Sequence, residues 1–162
     1  MRRIIFLITI LLISSAGTRL YSQVNKFQAL YLINFTKNIN WSSDNITIGV
    51  VGNTKTLIEL ESLVAKYPNI SLKKIAGTES IDKCQIIFLP SAQSRNFELI
   101  QNKIGSLPII LVSEDESLAD KGAEIAFYME GNKLKFILNK SALNSAGVNV
   151  GEKLFAIGKV IE

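Results

Sequence analysis

Apolar residues near the start of the chain follow a helical spacing. That spacing predicts a helix from Val24 to about Ile39. Its aromatic residues Phe27, Tyr31 and Phe35 lie four residues apart and therefore share one face. Apolar residues also occupy a second side, which is typical of a helix buried between two layers or against a partner. Core packing is the simpler interpretation for this stripe and for Trp41 after the helix, and contact with a partner or a second copy is the alternative.

Farther along, short and uninterrupted apolar runs alternate with helical stretches. The predicted strands are Ile46 to Val51, Ser71 to Ile75, Gln85 to Leu89 and Ile109 to Val112. Helices are predicted from Thr54 to about Lys66 and from Ser94 to about Ile104. Strands that are apolar throughout and separated by helices indicate a mostly parallel sheet with helices on both faces, in a Rossmann-like order.

The pattern changes in the last third of the chain. A short helix is expected near Ser117 to Lys121, followed by an antiparallel β-hairpin. The hairpin consists of Ala123 to Met129 and Leu134 to Leu138, joined by a tight loop in which Gly131 and Asn132 adopt positive φ. Two short helices, Ser141 to Ala146 and Gly151 to Val160, complete an α/β fold.

The first 22 residues have the layout of a secretory signal peptide. A basic start, an apolar run from Ile4 to Ile13 and a small, polar exit follow one another. The run is shorter than the roughly 20 residues of a membrane-spanning helix. We therefore expect residues 1–22 to be a cleaved signal peptide, residues 23–162 to be a single domain, and the protein to work in the periplasm.

Removal of that segment changes the charge argument. Three of the 18 basic residues leave with it and none of the 14 acidic ones, so the net charge falls from +4 to about +1. The remaining basic residues are scattered, whereas nucleic-acid binding normally needs a clustered basic face. No nucleic-acid partner is expected.

Open sheets of this kind bind ligands beyond the carboxyl ends of the strands, where the winding direction reverses. This rule predicts a crevice lined by Gly52, Asn53, Thr54, Ser91, Ser113 and Glu114. The turn at Gly52 lacks a phosphate-binding signature, so an ordinary strand-to-helix turn is favoured over an anion site there. A small-ligand binding or sensing module is one function that such a crevice would suit.

The side chains that most enzymes need are scarce. The chain contains no histidine, which excludes Ser-His-Asp and Cys-His catalysis. Its single cysteine, Cys84, can form neither an internal disulfide nor a zinc thiolate cluster, and a buried thiol is favoured over an intermolecular disulfide. Glu114, Asp115 and Glu116 would suit a small hydrolase, although an acidic first helical turn is the simpler interpretation. We expect no catalytic activity, no cofactor and no metal.

Several segments, in their order along the chain, resemble those of a known protein family. They are KFQALYLINFTKNINW at 26–41, ITIGVVG at 46–52, CQIIFLP at 84–90, PIILVSE at 108–114, GAEIAFY at 122–128, LKFILN at 134–139 and SALNSAGVNVGEKLF at 141–155. Together they span nearly the whole exported part of the chain. The sequence thereby resembles the YfiR family of bacterial periplasmic proteins.

The resemblance implies a regulator instead of an enzyme. Members of that family bind the periplasmic part of an inner-membrane signalling protein, such as a diguanylate cyclase, and repress its output, which affects cyclic-di-GMP, exopolysaccharide and biofilm formation. A protein anchored to the outer envelope can sequester the repressor. Tyr31, Phe35, Trp41 and Cys84 match the family as structural markers, but relatives often carry further cysteines that form disulfides, and this chain does not.

Overall fold

Nine strands and five helices make up the computed structural model, which describes residues 23–162. The strands are β1 (Ile39–Asn40), β2 (Ile46–Val51), β3 (Ile70–Ile75), β4 (Ile86–Leu89), β5 (Ile110–Ser113), β6 (Ile125–Glu130), β7 (Lys133–Asn139), β8 (Asn149–Val150) and β9 (Lys159–Ile161). The helices are α1 (residues 23–38), α2 (Lys55–Val64), α3 (Phe97–Ile104), α4 (Lys140–Ser145) and α5 (Glu152–Ile157). Short 3-10 helices cover Ile81–Lys83, Ser91–Asn96 and Glu116–Leu118. The predicted signal peptide lies outside the described residues.

Seven of the strands form one sheet in the order β3-β2-β4-β5-β6-β7-β9. Neighbouring strands from β3 to β6 are parallel, β6 and β7 form an antiparallel hairpin, and β9 runs parallel to β7. The chain passes from β2 outward to β3 and then returns to β4 on the other side of β2. The winding direction therefore reverses between β2 and β4, where a crevice is expected.

Alternate residues of the strands point to two separate apolar layers. On one face, side chains such as Val50, Phe88 and Val112 pack against α1 and α2. On the other face, side chains such as Leu89 and Leu111 pack against α3 and the short 3-10 helices. A sheet covered on both faces needs strands that are apolar throughout, which explains the uninterrupted runs in the sequence. The predicted α/β fold class is thus confirmed.

Three local predictions were wrong. Lys159–Ile161 forms strand β9 at the edge of the sheet instead of continuing a terminal helix. In the hairpin loop, Gly131 has a φ of +59°, but Asn132 does not have a positive φ. The segment from Ser91 to Asn96 is a 3-10 helix that precedes α3, so the α-helix begins later than predicted.

Cys84 lies in the apolar layer beneath α3. Its side chain is buried, and it is a free thiol. Gly49 of β2 lies so close that a Cβ atom there would be 2.9 Å from the Cys84 sulfur. Burial raises the pKa of the Cys84 thiol to about 11, which the positive charge of Lys73 offsets only in part.

A helix that crosses a bilayer must be both long and apolar along its length. Within residues 23–162, none of the helices combines these two properties.

Candidate functional site

A chain of hydrogen bonds joins α1 to the carboxyl ends of the parallel strands. The Thr56 hydroxyl donates to Gln28 Oε1 at 2.6 Å, and Gln28 Nε2 donates to Glu114 Oε1 at 2.9 Å. The backbone N–H of Ser91 donates to Glu114 Oε2 at 2.8 Å. We refer to Thr56, Gln28 and Glu114 as the polar bridge. It ties α1 and α2 to the loops that follow β4 and β5.

Gln28 occupies the centre of the polar bridge because α1 lies across that end of the sheet. The residue is only 1% exposed. A buried amide is costly unless its donors and acceptors are satisfied, and here Thr56 and Glu114 supply one partner of each kind. Sequence reasoning missed Gln28, because a lone polar residue within an apolar helical pattern does not reveal which distant residues it will meet.

The structure separates the six residues predicted for the crevice into two groups. Ser91 and Glu114 line a cavity with a volume of about 520 Å³. Gly52 instead forms a turn with a φ of +74°, and its N–H donates to the carbonyl of Ile75. Asn53 follows in the same turn and does not line the cavity.

The other two predicted residues have local roles. Thr54 caps α2, since its hydroxyl accepts the N–H of Thr56 at 3.3 Å. Ser113 is completely buried, and its hydroxyl accepts the N–H of Asp115 and donates to the carbonyl of the same residue. Neither side chain lines the cavity.

The cavity lies between the start of α1, the end of β5 and the β6-β7 hairpin. Its apolar walls are contributed by Val24, Phe127, Met129 and Leu134. Glu114 and Glu116 contribute carboxyl groups, and both oxygens of Glu114 already accept hydrogen bonds. The volume falls within the range of small-molecule sites, which is roughly 300 to 1,000 Å³.

Phe35 and Tyr31 belong to an aromatic cluster beneath α1. The Phe35 side chain is fully buried, and its ring centroid lies 5.2 Å from that of Phe136 in an edge-on arrangement. Tyr31 lies at the margin of the cluster, also 5.2 Å from Phe136, and its hydroxyl donates to the carbonyl of Leu134 at 3.3 Å. Such pairs add to the stability that burial provides.

Trp41 lies beyond the end of α1 at the margin of the same apolar layer. It is half-buried, and its indole N–H donates to the carbonyl of Thr36 at 3.1 Å. That bond holds the ring against the last turn of α1.

The outer face of α1 carries exposed apolar side chains. Phe27 is 51% exposed and Leu30 is 41% exposed. With Tyr31 and Asn34 they line a shallow depression of about 250 Å³. We call these four residues the α1 stripe. The predicted common face of Phe27 and Phe35 was wrong, because eight residues turn a helix about 80° past two full turns, which leaves one side chain outside and the other in the core.

Acidic residues after β5 are held by short local bonds. The hydroxyl and the N–H of Ser117 both donate to Asp115 Oδ1, which lowers the pKa of that carboxyl. This arrangement is typical of an acidic helix cap. Among residues 23–162, no group of three or more His, Cys, Asp or Glu side chains could hold a metal ion.

Solved structures that share the fold include proteins from two bacteria. A conserved domain protein from Vibrio cholerae superimposes with a TM-score of 0.62 at 13% identity. An ABC domain from Streptococcus pneumonia, solved in complex with L-Trp, superimposes with a TM-score of 0.61 at 15% identity. Each comparison covers 85% of this chain but 60% of the other, so the present chain spans less than two thirds of either structure.

Sequence comparison identifies the family. No curated protein sequence matches the chain significantly. The model of the YfiR/HmsC-like family, however, matches residues 25–159, which include nearly all of the helices and strands described above. That family supports a regulatory role in the periplasm in general terms. The family suggested by the sequence segments is confirmed, and the chain belongs to the YfiR/HmsC-like family.

Proposed function

We propose that this protein is a non-enzymatic periplasmic regulator that binds the periplasmic part of an inner-membrane signalling protein and represses its output. The signalling protein is a diguanylate cyclase or a similar sensor, and its repression limits exopolysaccharide and biofilm formation. Family membership supports the regulatory role. The exposed α1 stripe is the observation that supports the proposed docking site. In this proposal, residues 1–22 are the cleaved signal peptide and residues 23–162 are one exported domain.

The α1 stripe is suited to a partner because its apolar residues sit on a rigid support. Gln28 and Phe35 anchor the inner side of the same helix, so the helix that carries Phe27 and Leu30 is held in place without a partner. A helix that is already fixed in the free protein lowers the entropic cost of association.

Charge next to the α1 stripe indicates the chemistry of the partner surface. Lys26 is exposed beside Phe27, whereas the four residues of the stripe include no carboxylate. We therefore propose a partner surface with an apolar centre and acidic groups at its margin. Complementary charge at the margin mainly increases the association rate and the specificity.

Repression needs no chemistry from this protein. A protein that binds only the inactive state of a receptor shifts the population toward that state by its difference in affinity. A hundredfold preference corresponds to about 2.7 kcal/mol, which one well-packed apolar contact patch can supply. A protein anchored to the outer envelope would relieve repression by occupying the same α1 stripe.

The proposal is tested by crosslinking in intact native cells. A tagged copy of the protein is captured, and the crosslinked membrane proteins are identified by mass spectrometry. We expect one inner-membrane protein that has both a periplasmic domain and a cytoplasmic signalling domain. The doubly substituted Phe27→Asp, Leu30→Asp protein should lose most of that crosslink and should fail to lower cyclic-di-GMP in a strain that lacks the native gene.

Leu99→Asp is the matched control. Leu99 is 57% exposed on α3, on the opposite face of the sheet, so its substitution adds a charge to an exposed apolar site away from α1. This variant should crosslink and repress like the native protein. If the double variant also crosslinks normally, the α1 stripe is not the docking site. Capture of the protein with only itself would contradict the proposal and favour a homodimer.

A second candidate function is a small-ligand binding or sensing module. The cavity beside Ser91 and Glu114 favours it, because its volume and its mixture of apolar walls with carboxyl groups suit a small molecule. A thermal-shift screen of the purified protein against envelope metabolites tests this function. A ligand present at a hundred times its Kd should stabilise the protein by about 2.7 kcal/mol, whereas a pure protein-binding module should show no shift.

A further inference from the structure

A second cavity lies at the opposite end of the sheet, where the parallel strands begin. Its volume is about 310 Å³, and it is bounded by the end of α3, the start of β5 and β6, and α4. None of the residues of the polar bridge or of the α1 stripe lines it. The cavity is therefore a separate site, and a proposal about it does not rest on the proposed regulatory function.

Glu124 is the only charged residue among the described residues that line this cavity. The residue is 9% exposed, and one carboxylate oxygen accepts the backbone N–H of Leu111 at 2.8 Å. Burial raises the pKa of the Glu124 carboxyl to about 7, and hydrogen bonds from the N–H groups of Leu111 and Glu124 itself oppose this shift only in part.

Polar side chains near Glu124 form hydrogen bonds with groups other than its carboxylate. Asn139 donates to the carbonyl of Ala119 and accepts bonds from the N–H of Ala142 and the hydroxyl of Ser141. The hydroxyl of Ser145 donates to the carbonyl of Ser141. These groups hold the wall of the cavity in shape and leave the charge of the carboxylate without a lysine or arginine partner along the described lining.

An uncompensated carboxylate in a cavity selects for a complementary cation. An anion would be repelled, and a divalent metal ion would need more oxygen or nitrogen ligands than one carboxylate provides. The apolar side chains of Ile104, Leu111 and Ala142 offer contact for a short alkyl chain. The volume is at the lower end of the range of small-molecule sites, which limits the size of the occupant.

We propose that this cavity binds a small organic monocation, with the ammonium group of a primary amine against Glu124 and a short alkyl chain against Ile104 and Leu111. The cation supplies the positive charge next to Glu124 that no lysine or arginine of the described cavity lining provides. Because Glu124 lies directly before β6 and bonds to β5, an occupant would stabilise the contact between these two strands.

The test uses the purified protein and n-butylamine as the probe, with 1-butanol as its uncharged counterpart. Isothermal titration calorimetry at pH 8 should show saturable binding of the amine with a Kd on the order of 1 mM or below. We expect 1-butanol, which has a similar size and no charge, to bind roughly ten times more weakly. Amine and alcohol binding with equal affinity would overturn the proposal, and so would the absence of saturable amine binding.

Variants then locate the bound amine. Glu124→Gln keeps the shape of the side chain and a carbonyl that can accept the Leu111 N–H, so the fold should persist, which thermal unfolding checks. This variant should lose roughly tenfold or more in amine affinity. Glu98→Gln removes a carboxyl from the exposed side of α3, the helix that bounds the cavity, and should bind like the native protein. Equal affinity of the native protein and the Glu124→Gln variant would show that the amine binds elsewhere.

The pH dependence gives a further readout. The amine stays protonated throughout, whereas Glu124, with a pKa of about 7, changes from mostly ionised at pH 8 to mostly neutral at pH 6. Affinity should therefore fall about tenfold between pH 8 and pH 6. An affinity independent of pH over this interval would mean that an ordinary surface carboxylate holds the amine, and the proposal would be wrong.

Discussion

Gln28 of α1 donates a 2.9 Å hydrogen bond to the carboxylate of Glu114, which lies 86 residues later in the chain. The bond places an amide from the helix where the winding of the sheet reverses. In many open α/β sheets a ligand occupies this position. In this protein the Gln28 side chain lies there and bonds to Glu114 in the loop after β5, and the cavity lies toward the β6-β7 hairpin.

Replacement of Gln28 should therefore destabilise the protein. The Gln28→Ala variant leaves the Thr56 hydroxyl and one oxygen of Glu114 without this partner. We expect a loss of about 1 to 3 kcal/mol in the free energy of unfolding, measured by urea denaturation. Gln23→Ala, at an exposed position of the same helix, should change it by less than about 0.5 kcal/mol. Equal effects of the two substitutions would show that the polar bridge contributes nothing.

Truncation should distinguish the two sides of α1 equally clearly. Phe35→Ala removes a fully buried ring from the aromatic cluster and should cost about 3 to 5 kcal/mol. Phe27→Ala, at a half-exposed position two turns earlier, should cost much less, about 1 kcal/mol. Chemical denaturation followed by circular dichroism measures both. A large loss at Phe27 would contradict the assignment of the α1 stripe as free surface.

Stability should fall as the pH rises toward neutrality, because of Glu124. In the unfolded chain its carboxyl titrates near 4.5, whereas in the folded protein its pKa is about 7. Between these values the folded state binds more protons than the unfolded chain. The contribution of Glu124 to the free energy of unfolding is therefore fully present below pH 4.5 and is lost as the pH rises through 7. The loss is on the order of 3 kcal/mol.

The Glu124→Gln variant isolates this effect from that of other titrating groups. Urea denaturation at pH 5 and pH 8 should show that the variant gains stability relative to the native protein at pH 8 and little at pH 5. A difference between the two proteins that does not change with pH would mean that Glu124 is not buried as described.

Cys84 should be chemically inert in the folded protein. Its thiol is buried and its pKa is about 11, so almost no reactive thiolate exists at neutral pH. An aromatic disulfide reagent should label the native protein far more slowly than the protein unfolded in urea. Rapid labelling, or a disulfide-linked dimer on a non-reducing gel, would contradict the buried position.

Much of the fold could be predicted because its signals are local. Uninterrupted apolar runs such as those around Phe88 and Val112 indicated the central strands, and the ends of these runs placed Ser91 and Glu114 at the same edge of the sheet. Strand order, which the alternation of helices and strands restricts strongly, placed these two residues correctly, but it did not predict that the cavity extends toward the β6-β7 hairpin and leaves Gly52, Asn53, Thr54 and Ser113 outside.

The features that could not be predicted, strand β9 and the role of Gln28, depend on contacts between distant parts of the chain. The three residues of β9 are paired only because β7 offers an open edge, and nothing in Lys159, Val160 and Ile161 distinguishes a strand from a frayed helix. Likewise, Gln28 gains its role from Thr56 and Glu114, which no local pattern connects to it.

The placement of α1 also affects how the protein folds. Its inner surface is completed by Glu114 and by Leu134, whose carbonyl accepts the Tyr31 hydroxyl bond across 103 residues. A chain synthesised from its amino terminus must therefore keep an apolar helix without its native partners until most of the sheet has emerged. Contacts across such sequence separations form slowly, and until they form, the apolar side of the helix stays exposed and can aggregate. Protection of this helix by a chaperone during that interval should therefore raise the yield of folded protein.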